Sequence, residues 1–225
     1  MLFEFCAENF TNVPAAIAAG AGRIELCDNL AVGGTTPSAG VISKTVEYAH
    51  AHGAHVMCMI RPRGGDFVCT EDELQMMEID LDLAISLGVD GIVFGCLAPK
   101  GEGSYKLDKP AVERVLDAAA QTSREEGNEH LDVTFHMAFD ALDPEDQFDA
   151  IDYLAVRGVT RILTHGGAAG TSISDNLDRL RDLAAYAAGR LIILPGAGIN
   201  YGNRDGIAAA LGCPELHGTK IVQIA

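Results

Sequence analysis

The 225-residue chain carries 16 Lys and Arg against 32 Asp and Glu, a net charge of −16 that repels phosphate backbones and anionic lipid surfaces. Nucleic acid is therefore excluded as an expected partner, while a small anion stays admissible where local cations outweigh the global field. Hydrophobic residues make up 48 % of the chain, enough for one domain spanning 1–225, and no segment approaches the roughly 18 apolar residues of a membrane span.

In chain order, MLFEFCAENF lacks the charged start and long apolar run of an export signal. The expectation is a cytoplasmic protein whose six scattered cysteines, none in a CxxC pair, are reduced thiols. One unit then recurs: an Ala- and Leu-rich amphipathic stretch, a glycine, and a short β-rich run, as in AIAAGAGRIELC, YAHAHGAHVMCMI, AISLGVDGIVFG and LAVRGVTRILT. Glycine at the left-handed position after a helix explains the punctuation. Strands are predicted at 2–6, 23–27, 55–60, 91–95, 131–136, 160–164, 191–195 and 215–218. Helices are predicted at 12–19, 39–51, 71–87, 109–125, 144–157, 173–188 and 203–211. Thr70-Glu71-Asp72-Glu73 reads as a capping box, and Asp143-Pro144-Glu145-Asp146 as a cap with a first-turn proline. Eight strands alternating with seven helices give an α/β, single-domain (β/α)8 TIM-type barrel, with no room for an eighth helix after 218. A partner subunit, most simply in a homodimer, is one way to cover the flank this leaves.

Function in such barrels gathers at the C-terminal strand ends, and side chains alternate between faces along each strand. Charge at a strand end belongs in the barrel mouth rather than under a helix. Glu4, Glu25, Arg61 and His136 therefore form a candidate polar cluster, with Cys6 and Cys27 as neighbours on adjacent strands. Met57, Cys58 and Met59 look like soft copper donors, but alternation splits them between faces and makes them core. The connection from Arg61 to Cys69 is longer than an ordinary βα loop and holds two Arg, two Gly and Asp66, which suits a lid or an anion-binding loop. Glycine-rich ends beginning at Thr164 (THGGAAG), containing Gly196 and Gly198 (PGAGIN), and beginning at His217 (HGT) stand where barrels often seat phosphate. His50, His52 and His55 fall on the opposite rim and read as surface histidines.

The segments RIELCDNLAVGGTTPSAG, MIRPRGGDF, GIVFGCL, TFHMAFD, RILTHGG, PGAGIN and ELHG together resemble the CutC copper homeostasis protein family, in family order over almost the whole chain. The resemblance implies a (β/α)8 barrel that handles copper in the cytoplasm. It places copper(I) thiols on Cys6 and Cys27, and polar mouth residues on Glu4, Glu25, Arg61, Arg63, Asp66, His136 and Asp140. Met137, His165, Ala197 and Thr219 depart from the family pattern, which usually has Arg, Ser, Gly and Ser at those positions.

Two functional readings follow from the residues. Two thiolates suit copper(I). Alternatively, Glu4 or Glu25 with His136 as acid and base, and Arg61 with Arg63 as anion contacts, would suit an enzyme acting on a carboxylated or phosphorylated metabolite. A non-catalytic sensor or scaffold on an inherited barrel is a third, weaker reading.

Overall fold

A computed structural model of the chain describes residues 1–128, 130–167 and 170–224. The candidate glycine-rich end after residue 164 includes Ala168 and Ala169, and these, with Glu129 and Ala225, lie outside the described residues. Strands β1 (Leu2–Glu8), β2 (Arg23–Cys27), β3 (His55–Met59) and β4 (Gly91–Phe94) are followed by a hairpin, β5 (Leu97–Gly101) and β6 (Ser104–Leu107). Then come β7 (Asp132–Phe135), β8 (Arg161–Thr164), β9 (Ile192–Pro195) and β10 (Glu215–Gly218). Helices α1 (Val13–Ala18), α2 (Ala39–Ala51), α3 (Glu71–Ser86), α4 (Lys109–Glu125), α5 (Asp146–Val156), α6 (Leu177–Ala187) and α7 (Arg204–Leu211) fill the crossovers.

The eight long-range strands run parallel in the order β10-β1-β2-β3-β4-β7-β8-β9, which is the TIM-type barrel that the strand count predicts. No ladder joins β9 to β10 among the described residues. The isolated parallel bridge between Asn200 and Lys220 links the segments beyond them, with Tyr201 N–H donating to the Lys220 carbonyl at 2.8 Å. No helix follows β10 among the described residues, but Ile221 and Val222 are buried there, so the chain's own closing segment covers apolar surface on that side.

Strand alternation fixes the layers. Ile24, Leu26, Val56, Cys58, Ile60, Ile92 and Phe94 face outward into the main core beneath the helices. Cys6, Cys27, Met57, Met59 and Val93 face inward as a separate apolar cluster. Thr70 and Glu73 form the expected capping box at the start of α3. The start of α5 differs from the sequence expectation: the helix begins at Asp146, and Asp143 and Asp146 instead bind Lys100 of the hairpin at 3.2 and 2.6 Å. That hairpin has no counterpart among the predicted elements. Its strands are short and mostly exposed, so they lack the buried apolar run by which the barrel strands are recognised. No helix among the described residues is long and apolar enough to cross a membrane.

Candidate functional site

Below the mouth, the barrel interior is floored by charge. Arg23 of β2 donates to Glu4 of β1 and, at 2.5 Å, to Glu215 of β10. Arg161 of β8 pairs with Asp132 at 2.7 Å and with Glu215 at 3.2 Å. Arg23 shares a strand face with Glu25, so strand parity marks it as inward-facing, but it lies at the N-terminal end of β2, away from the strand ends where barrel function gathers. Glu4 belongs to this floor rather than to the mouth. His217 joins the layers, with Nδ1 2.8 Å from Glu4 Oε1 and Nε2 3.6 Å from Glu25 Oε2.

This packing sets the charges. Burial would raise the Glu4 carboxyl, but Arg23 and His217 hold it down at about 2. Burial works against an imidazolium at His217, yet the facing Glu25 and Glu4 carboxylates and the Cys6 thiol raise it well above its ordinary value. Glu25 lies above the usual carboxylate range because burial outweighs the pull of His217.

Above the floor opens a cavity of about 360 Å³ lined by Cys6, Glu25, Cys27, Met59, Arg61, Phe67, His136, Met137, His217 and Thr219 among others. The register sets Cys6 opposite Glu25 and Glu8 opposite Cys27, so the two thiols are diagonal neighbours across β1 and β2. Cys6, Cys27 and Glu25 each offer a donor atom within 4.8 Å of the others, as do Glu4, Glu25 and His217. Gly34, at φ +87°, lets the loop after β2 pass over Cys27: a Cβ there would stand 3.2 Å from the Cys27 sulfur. The thiols are protonated at neutral pH. The Cys27 hydrogen bond, burial and the Glu25 charge push Cys6 well up, while Cys27, eased by Cys6 but raised by burial and Glu25, reaches about 11. Cys27 Sγ points its proton at Glu25 Oε2, 3.7 Å away.

His136, at the end of β7, accepts the Ala138 N–H on Nδ1 at 3.1 Å, so its proton sits on Nε2, which is buried with no partner. Burial, and then the Arg61 charge, depress it to about 3, and the ring is neutral. Gly95 makes room for it, since a Cβ there would come within 2.5 Å of the ring. Glu25 Oε1 is likewise buried without a partner.

The two candidate anion contacts are engaged elsewhere. Arg61 gives its guanidinium to the carbonyls of Val32, Gly34 and Gly65 at 3.2, 3.0 and 2.8 Å, beneath the Phe67 ring. Arg63 turns outward to Glu73, Asp66 and the Val68 carbonyl, and Asp66 holds Arg63 and the Val68 N–H. Neither Arg63 nor Asp66 lines the mouth cavity. Asp140, Gly198 and His165 line an adjoining cavity of about 570 Å³ that shares Phe67 and Met137 with the first. There Asp140 accepts from the Thr164 hydroxyl and from His165 N–H at 2.8 Å, and burial raises its carboxyl. The His165 ring has Nδ1 3.2 Å from the Gly196 carbonyl and Nε2 3.2 Å from the Thr171 hydroxyl. Gly196 packs bare against Leu163 and His217. Ala197 lies at φ +61°, the left-handed region that costs a non-glycine residue about 1–2 kcal/mol. The three rim histidines are surface groups: His50 and His55 share Asp90, and His52 stacks on Tyr48.

The model of the CutC family matches residues 1–222. A CutC family protein from Enterococcus faecalis is 55 % identical over 99 % of this chain and 100 % of its own length, and one from Streptococcus pyogenes is 42 % identical over the same shares. A crystal structure from Streptococcus agalactiae, named a candidate copper homeostasis protein CutC, superposes with a TM-score of 0.89 at 41 % identity, covering 99 % of this chain and 100 % of the other. A deoxyribose phosphate aldolase from Aeropyrum pernix shares the fold at TM-score 0.68 and 13 % identity, over 99 % of this chain and 87 % of the other. Barrel and relatives agree, and the chain belongs to the CutC family.

Proposed function

We propose that this protein binds copper(I) at the barrel mouth, through Cys6 and Cys27, as part of copper homeostasis in the cytoplasm. The observation that carries the reading is the convergence of both thiols with the Glu25 carboxylate within 4.8 Å on the floor of an open cavity. Soft thiolates select copper(I), and a reducing compartment suits a chain whose six cysteines are all free. The ion is cargo here, and each thiol gives up a proton when it binds. Glu25, which Cys27 already faces, is the nearest acceptor for one of them. The bound pair then carries a negative charge that the imidazolium of His217 partly offsets.

The test is a copper(I) competition titration of reduced wild type and of Cys6→Ser with Cys27→Ser. On this reading the double variant loses one bound equivalent; the same number of equivalents at the same affinity in both would end it. Glu25→Gln keeps the thiols but removes the acceptor and weakens binding about 10- to 100-fold, most strongly at low pH.

A second reading, chemistry on a small anionic metabolite, is favoured by one observation. Glu25 Oε1 and His136 Nε2 are unpartnered beside a cavity far larger than an ion. Arg61 and Arg63 spend their donors on the protein itself, which weakens the anion half of that reading. A thermal-shift screen of carboxylated and phosphorylated compounds tests it: a hit abolished by His136→Asn supports it, and a screen without a hit rejects it.

A further inference from the structure

A second group of sulfurs lies outside the mouth, on the helix side of the lid segment. Cys69, the residue before the Thr70 cap of α3, stands with its sulfur 3.9 Å from Cys96 Sγ and 3.8 Å from Met77 Sδ. Cys96 lies in the two-residue link between β4 and β5, and Met77 is in the second turn of α3, so two loops and a helix supply the three sulfurs. Met77 and Cys96 are fully buried, whereas Cys69 is partly exposed. Beside Cys69 and Met77 is a cavity of about 10 Å³, lined also by Arg63, Asp66, Glu73 and Gly95 but not by Cys96, which is room for about one water-sized sphere.

The distances suit a metal ion. With metal–sulfur bonds of about 2.3 Å, sulfurs around a three- or four-coordinate ion stand about 4 Å apart. Such spacing is far from the roughly 2.05 Å of a disulfide bond. The geometry points to a second soft-metal site, in which the Cys69 and Cys96 thiolates and the Met77 thioether hold one thiophilic monovalent ion of the copper(I) type. Two thiols and the thioether take up the ion, two protons leave to solvent, and no electrons are transferred. Cys69, the partly exposed member, is the end from which an ion would enter. A donor set of three sulfurs favours a soft ion over a hard one. An occupied site would tie Cys69 to the link after β4 and brace the segment bearing Phe67, whose ring lies 5.0 Å from His136. This inference does not rest on the mouth site.

Copper(I), kept reduced and competing with a chromophoric chelator, is the probe. Wild type should retain two equivalents. Cys6→Ser with Cys27→Ser should retain one, and adding Cys69→Ala and Cys96→Ala should remove it. Met77→Leu preserves volume, so a folded variant is secured; in the Cys6/Cys27 background it should weaken the remaining site at least tenfold. No copper(I) retained by the Cys6/Cys27 variant would overturn the second site. So would an equivalent there that survives Cys69→Ala and Cys96→Ala, or one unaffected by Met77→Leu. A Cys6/Cys27 variant that binds as much as wild type instead defeats the mouth reading and leaves this one to the Cys69, Cys96 and Met77 substitutions.

Discussion

At the scale of single residues, His136 shows how packing sets chemistry. In the unfolded chain it titrates near its ordinary 6.5, and in the folded protein near 3. Below pH 6.5 the unfolded chain therefore binds a proton that the folded one refuses, and stability falls as the pH drops towards 3. The slope approaches 1.4 kcal/mol per pH unit, or about 2 kcal/mol between pH 6.5 and 5. Glu4 adds loss further down: its stabilisation is complete above its ordinary 4.5 and disappears as the pH falls through about 2. His217 has the opposite sign, contributing fully below its ordinary 6.5 and losing that contribution as the pH rises through its elevated value. His136→Asn keeps an acceptor for Ala138 N–H without the titration. Urea unfolding of that variant at pH 5 and pH 6.5 should show at least half of the wild-type difference removed; an unchanged slope would mean that His136 is not held neutral by burial. The inward or outward direction of His136, Glu25 and both mouth cysteines was legible from strand parity. What Arg61 does was not, because parity aims a side chain but cannot say whether carbonyls from two loops meet it first.

At the scale of elements, the barrel strands and all seven helices stand within a few residues of their sequence-predicted places, because each is marked by an apolar run and a glycine stop. The lid from Arg61 to Cys69 was legible by its length and composition, but its role is changed. Its arginines fasten the protein to itself instead of waiting for an anion. The Cys69–Cys96 contact was hidden, since 27 residues and a whole helix separate its partners in sequence. Arg61→Met should free both loops that its guanidinium joins. Hydrogen exchange at residues 32–36 and 63–67 should accelerate at least tenfold, with about 2 kcal/mol lost in overall stability. Arg61→Lys should restore little of this, because one ammonium cannot reach three carbonyls in fixed directions. Full protection in the lysine variant would show that charge alone holds the loops.

At the scale of the molecule, the floor of ion pairs does what the absent β9–β10 ladder does not. Glu215 on β10 is held by Arg23 on β2 and by Arg161 on β8, so charges inside the barrel span its seam. Arg23→Met leaves Glu4 and Glu215 buried without that partner and should cost about 3–5 kcal/mol in denaturant unfolding. A loss below 1 kcal/mol would mean that His217 and Arg161 suffice. Above this floor the interior changes from paired charge to two free thiols, and the proposed function depends on that change. Diffraction at the copper edge from crystals loaded with copper(I) under reducing conditions tests it most directly. The expected result is an anomalous peak within bonding distance of both Cys6 Sγ and Cys27 Sγ. Copper found only elsewhere, with the two thiols unmoved, would contradict it.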